Sequence, residues 1–475
     1  MEIEVGVVSS RVYFFYSLPC ILFGGSVSPK LRQETGSAET FTMAANVVDL
    51  AKYDITRKMA PFLDPHFMFP ILKWLRERNI YSEAEVLAAE YDLASNTSTM
   101  FTYLQELHKH LVDTVKATGG DVSKVPSPDF NTSALEAEFK QHMDAGGKVW
   151  ELLGDKAVID KLREAGKFTL EGLVEEGATE EEIESIFDLA RFYHKGGLYK
   201  QALECVVLFR KVGPRFDSYR YFSTMWAQLA ECICMILNPD TPSTKKPLSS
   251  AGGSEPSDFA FRVLRDTVEK RTMLGVQEVE HRRWLLHWAL FVIFSRPRAH
   301  DELFDLFFSQ REARSEQRTR KNDYLAITQA VSPWLLRYVA YATVLNFQNL
   351  GKRQRQFINV LKAEKATYSG PMTQLFVSLF SECDIEGSIA AIRESADVIR
   401  ADFFLGNLAA KARGSVDDVI NDFQSAALKL GRFYCHSSVT GCRMLALFVA
   451  VAPMMISTCP NHPCGYLLYT IDSRT

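Results

Sequence analysis

Six side chains able to bind a metal lie between positions 435 and 464: Cys435, His436, Cys442, Cys459, His462 and Cys464. Thiolate and imidazole together make zinc sites, but structural zinc wants its ligands in close pairs, and no C-x-x-C knuckle is present. The spacing predicts an unstructured or partly buried tail and no resident metal. Two further histidines, His281 and His287, sit in HRRWLLHWALFVIF. No acid or cysteine follows either at the spacing of a ligand set or a triad, so both are assigned to packing. REARSEQRTRK, residues 311 to 321, sets five cations against Glu312 and Glu316, and a second cluster holds Lys352, Arg353 and Arg355. Such groups can neutralise phosphates, or they can simply keep a loop or helix face solvated. Arg318, Arg320, Lys352, Arg353 and Arg355 are the candidate contacts to RNA or to a protein partner. Neither cluster has the interleaved aromatics of a base-stacking site.

No phosphate-cradling G-x-x-x-x-G-K-[ST], no G-x-G-x-x-G after a strand, no H-E-x-x-H and no G-x-S-x-G is present. The carboxylates are those expected of helix surfaces. The chain is expected to be no enzyme, with no catalytic residue, no cofactor and no small-molecule substrate.

The elements that would carry these residues are helical. Ile183, Ile186, Phe187, Ala190 and Phe192/Tyr193 recur at helical spacing, Gly196-Gly197 interrupts, and Tyr199, Ala202, Leu203, Val206, Val207 and Phe209 resume the pattern before Gly213-Pro214. Such a hairpin cannot bury its own apolar face, so it predicts neighbours on both sides, as in tetratricopeptide-like repeats, with Ala202 allowing close approach. Earlier in the chain, Pro70 is read as starting a helix at Phe69-Pro70-Ile71-Leu72. Ser82-Glu83-Ala84-Glu85 reads as a helix cap. Ala117–Ser133 reads as a linker, Glu136–Leu162 and Asp217–Leu237 as helical, Asn238–Phe259 as a mobile surface loop, and Phe261–Phe308 as strongly helical.

Composition agrees with a globular chain of 475 residues: 47% apolar, 24% charged, formal net charge −4. That charge argues against a protein-wide attraction to nucleic acid. Nine scattered cysteines fit a reducing compartment, so a cytoplasmic location is expected. VYFFYSLPCILF, residues 12 to 23, is too short to span a bilayer and lacks the basic start of a signal peptide, which leaves the sequons at Asn96 and Asn131 as chance matches. Amphipathic helical character begins at Met43, so residues 1 to 42 are read as a disordered extension. Met444–Ser457 is apolar but broken by Pro453.

Five blocks in one order carry a resemblance: LDPHFMFPILKWLRERNIYSEAEVL from Leu63, ARFYHKGGLYKQALECVVLFR from Ala190, RRWLLHWALFVIF from Arg282, SPWLLRYVAYATV from Ser332 and FVSLFSECDIEGSIAAIRESADVIRADFFL from Phe376. Together they resemble the E-type subunits of eukaryotic translation initiation factor 3, a PCI-domain family, over roughly residues 50 to 405. The resemblance implies an all-α fold, a right-handed helical-repeat arm leading into a PCI domain that ends in a winged helix. It implies a non-catalytic scaffold that assembles with other PCI subunits on the small ribosomal subunit. PCI subunits of the proteasome lid or the COP9 signalosome share that architecture, and an RNA-binding helical repeat is the alternative of another class. The expected organisation is an extension at 1–42, an arm at 43–237, a loop at 238–259, the helical part of the PCI domain at 260–405 and a divergent tail at 406–475. Past Asp402-Phe403-Phe404-Leu405 the family pattern is not followed, so the winged helix is expected to be missing or altered and incorporation into the complex weakened. Residues 311 to 322 look inserted.

Overall fold

The structure is a computed structural model that describes residues 49–128, 131–213, 218–238, 256–270, 275–308, 324–349, 351 and 353–437. The extension at 1–42, the basic run 311–321, Lys352 and everything beyond 437 lie outside the described residues. Among the described residues there is no strand, and the architecture is the expected all-α one. The chain divides into two compact units, residues 1–295 and 296–475.

The first unit opens with a strap of short helical turns, Leu50–Tyr53, Thr56–Met59 and Ala60–Phe62. Longer helices follow among the described residues: α1 Pro65–Glu77, α2 Glu83–Thr97, α3 Phe101–Ala117, α4 Thr132–Ala145, α5 Gly147–Gly154, α6 Lys156–Glu164, α7 Leu170–Glu175, α8 Glu180–Lys195, α9 Tyr199–Val212, α10 Tyr219–Leu237, α11 Pro256–Lys270 and α12 Gly275–Phe294. Helices adjacent in sequence pack on one another through α1–α3 and again through α8–α12, as a repeat array requires. The hairpin α8/α9 has its neighbours on both sides. Ile183, Ile186, Phe187 and Ala190 of α8 and Val206, Phe209 and Val212 of α9 share a core with Val149 and Leu152 of α5, Leu162 of α6, Leu173 of α7 and Ala227 of α10. Ala202 is fully buried, whereas Phe192, Tyr193, Leu203 and Val207 stand at the margin of the core.

Several boundaries differ from those the sequence predicts, each for a local reason. Pro70 does not begin a helix: α1 starts five residues earlier, at Pro65, because the Asp64 carboxylate accepts the His66 N–H at 2.9 Å and takes the cap. Proline in a helix interior costs about 3 kcal/mol, and the burial of Phe67, Phe69, Ile71, Leu72 and Trp74 around it offsets that cost. The linker ends before Thr132, where Asn131 caps α4. Residues 256–259, read as loop, form the first turn of α11. Ser82 caps α2 as its sequence indicates, accepting the Glu85 N–H.

The second unit contains α13 Ala299–Phe308, α14 Tyr324–Val331, α15 Leu336–Leu345, α16 Arg353–Glu364, α17 Pro371–Val377, α18 Ile385–Ala401 and α19 Val416–Ser437. Every residue of α15 from Leu336 to Val344 is buried, so it is the central helix, with α13, α17 and α19 packed on it. Wide π-type turns at Ser378–Glu382 and Phe404–Ala409 bracket α18. Helical packing thus continues past Leu405. Val419, Phe423 and Ala427 of α19 are buried, and the Phe423 ring stacks on Tyr341 at 5.9 Å.

Candidate interaction scaffold

Each end of the α8/α9 hairpin is fixed by backbone groups. Thr179 accepts the Glu182 N–H at 3.2 Å while Glu182 Oε2 accepts the Thr179 N–H at 2.8 Å, a complete capping box. The other oxygen of Glu182 accepts the Lys148 N–H at 3.0 Å, so one carboxylate caps both α8 and α5. Those backbone donors hold Glu182 below the usual carboxylate range. At the other end, Gly197 adopts φ +73°, where a side chain would be strained, with the Met100 sulfur 2.5 Å from where a Cβ would stand. The Thr99 N–H donates to the Lys195 carbonyl at 2.9 Å and docks this turn on the α2–α3 connection.

Behind the hairpin lies a sealed polar cluster. His194, at the end of α8, directs Nδ1 to Glu231 of α10 at 2.9 Å and Nε2 to Asp64 at 3.4 Å. His66 Nδ1 lies 3.0 Å from the Tyr199 hydroxyl, and the two imidazoles are 4.3 Å apart. Asp64, His66, His194, Tyr199 and Glu231 are all buried. Burial opposes charge on His194, but Glu231 and Asp64 outweigh it and keep the ring protonated well above its ordinary range. Burial would raise Asp64, yet His194 first and His66 after it bring that carboxylate below its usual range. Burial also lifts Glu231, with His194 only partly offsetting it. His66 is driven to about 3 by burial and by the neighbouring His194 charge, so it is neutral.

The strap closes on α12. Trp288 Nε1 donates to the Phe62 carbonyl at 2.9 Å, Arg283 lies 3.7 Å over the Phe62 ring, and His287 packs 4.8 Å from it. His287 Nδ1 bonds the Arg283 carbonyl at 2.7 Å, and burial takes its pKa down to about 3. His281 lies between Phe222, at 5.0 Å, and Trp226, at 5.8 Å. Both are packing histidines, as their sequence context indicates.

In the second unit the acid of the DFFL block is a structural hub. Asp402 Oδ2 accepts from Arg337 Nη1 at 2.8 Å and from the Tyr338 hydroxyl at 2.9 Å; Oδ1 accepts the N–H groups of Phe404 and Leu405 at 3.0 and 3.1 Å. Arg337 Nε also bonds the Tyr368 hydroxyl at 3.2 Å. Although burial disfavours its charge, Tyr368 and Asp402 keep Arg337 fully cationic.

Of the candidate contact residues, Arg318, Arg320 and Lys352 lie outside the described residues. Arg353 starts α16, and Arg355, two residues on, is exposed. The two that are described share one helix. Sequence reasoning missed a different surface: Phe139 and Met143, 38% and 36% exposed, ride on α4 beside Phe192 and Tyr193 of α8, with Phe139 5.7 Å from Phe192. Its signal is an apolar i, i+4 stripe of Leu135, Phe139 and Met143. Among the described residues no group of three His, Cys, Asp or Glu is arranged to hold a metal, and no helix is long and apolar enough to cross a membrane.

This all-helical scaffold has relatives. The family described as eIF3 subunit 6 N terminal domain matches residues 54–193. The E-type member of eukaryotic translation initiation factor 3 from Aspergillus niger is 30% identical over 363 residues, 74% of this chain and 72% of the relative. The chain belongs to this family of E-type subunits of eukaryotic translation initiation factor 3. The proteins of the same name from Yarrowia lipolytica, 29% identical over 75% of this chain and 77% of their own length, and from Emericella nidulans, 28% over 80% and 78%, are similar in the same way. Family membership accounts for the five sequence blocks. The matched region 54–193 contains Asp64, Glu182 and the start of the hairpin, which are framework residues.

Proposed function

We propose that the chain is a non-catalytic scaffold subunit of the translation initiation factor 3 complex, working in the cytoplasm in recruitment of the small ribosomal subunit and mRNA. Membership of the initiation factor 3 family carries this reading. The buried ion pairs around His194 and Asp402 join elements within each unit, as a framework requires. The helical-repeat arm is read at residues 43–237 and the helical part of a PCI domain at 260–405, whereas the compact units divide at Ser295–Arg296. Partner subunits are the expected ligands, and Arg353 and Arg355, with Arg318, Arg320 and Lys352, are the residues assigned to partner or RNA contact.

Affinity purification of the tagged full chain from cells, followed by quantitative mass spectrometry and gradient sedimentation, tests the reading. Co-purification with the remaining initiation factor 3 subunits and sedimentation with the small ribosomal subunit is the expected result, at less than normal stoichiometry if the departure from the family pattern past Leu405 weakens incorporation. Recovery with proteasome-lid or signalosome subunits instead would overturn it. Binding of RNA by the purified chain alone, steeply weakened by salt and by charge reversal at Arg353 and Arg355, would establish the RNA contact.

A further inference from the structure

We propose that His194 is a buried imidazolium clasp, a proton-dependent device that fastens the strap Leu50–Phe62 and the start of α1 to the α8/α9 hairpin and to α10. Both ring nitrogens of His194 face carboxylate oxygens, Glu231 at 2.9 Å and Asp64 at 3.4 Å, in a buried site. A carboxylate accepts and does not donate, so a ring between two carboxylates needs an N–H on each side. That ring is a cation, and it joins three elements that lie far apart in sequence.

The surroundings leave little alternative. Facing this ring are Asp64 from the cap of α1, His66 from α1, Tyr199 from α9, and Glu231 and Cys234 from α10. His66 Nδ1 lies 3.0 Å from the Tyr199 hydroxyl, an arrangement that suits a neutral ring accepting from tyrosine. Tyr199 and Cys234 are held protonated by burial. The positive charge that Asp64 and Glu231 meet within the cluster is therefore that of His194. Removing its proton would leave the two carboxylates facing a neutral ring with a single N–H, and one contact would be lost.

A raised histidine pKa stabilises the folded state fully below the unfolded value, near 6.5, and that contribution is lost as pH rises through the folded value. The clasp is thus closed at neutral pH and opens on the alkaline side. Opening releases α8 from Asp64, the α1 cap that follows the strap.

Two readouts on the full chain test this. Two-bond 1H–15N correlation spectra of histidine-labelled protein, with His194→Gln to assign the signal, should show both His194 nitrogens protonated at pH 8, where free histidine is neutral. A His194 with one unprotonated nitrogen at pH 8 overturns the proposal. Asp64→Asn keeps a good helix cap but removes the charge. It should raise amide exchange across residues 50–62 at least tenfold, and unchanged exchange there would show that the strap does not depend on the clasp. Should that variant fail to fold, the wild-type spectrum still decides.

Discussion

Arg337 and Asp402, 65 positions apart, form a buried ion pair at 2.8 Å whose acid also holds the backbone of Phe404 and Leu405. One carboxylate thus ties the central helix of the second unit to the turn that follows α18. The pair is nearly solvent-free, its side chains 5% and 1% exposed.

Asp402→Ala should therefore destabilise the second unit by about 3–5 kcal/mol, because it strands the Arg337 charge and frees two backbone amides. Arg337→Met together with Asp402→Ala should cost less than Asp402→Ala alone, since no charge is left uncompensated. Denaturant midpoints of the three chains provide the comparison. A double variant less stable than the single one would contradict it.

Acid should loosen the first unit before its carboxylates titrate. His66 and His287 have folded pKa values near 3, against 6.5 unfolded. A depressed histidine pKa gives stability that is present above 6.5 and lost as pH falls. Each should cost up to about 1.4 kcal/mol per pH unit between 6.5 and 4. His287→Asn retains a donor for the Arg283 carbonyl but cannot titrate, so its urea midpoint should fall about half as steeply with pH as that of the wild type. Parallel curves would count against the assignment.

Glu182→Ala should fray two helices at once, α8 and α5, whereas Thr179→Ala should fray only α8. Loss of a cap costs roughly 1 kcal/mol, and hydrogen exchange at Lys148 separates the two variants. Equal exchange at Lys148 in both would refute the shared cap.

Trp288→Phe removes the donor to the Phe62 carbonyl and should cost about 1 kcal/mol. Exchange or proteolysis within residues 50–62 should rise well above that of the rest of the unit. An effect spread evenly over the unit would mean that the indole is mere filling.

Local signals in the sequence reveal the helices and conceal their fastenings. The capping acceptor at Ser82, the glycines after α8 and the periodicity of Ile183 to Phe209 each operate within a few residues, so they can be read one window at a time. His194, Glu231 and Asp64 sit on three different elements, and nothing near any of them announces the other two. The same holds for Arg337 and Asp402: the DFFL block is recognisable as a family word, but not as the anchor of an arginine. Pro70 misleads because proline favours a helix start as well as disturbing a helix interior, and the stronger cap at Asp64 decides between them. The apolar patch on α4 escapes notice because its residues are few and its neighbours Phe192 and Tyr193 lie on another helix.

The strap has a consequence for synthesis. Phe62 meets Trp288 across 226 positions of chain, so a segment that leaves the ribosome early waits for the last helix of its unit before it can be seated. Until then its apolar side chains, Tyr53, Ile55 and Met59 among them, remain uncovered while the intervening helices assemble, a long-range closure of the kind that slows folding and invites misassembly. Nascent chains stalled before α12 should therefore depend on chaperones more than chains released just after it.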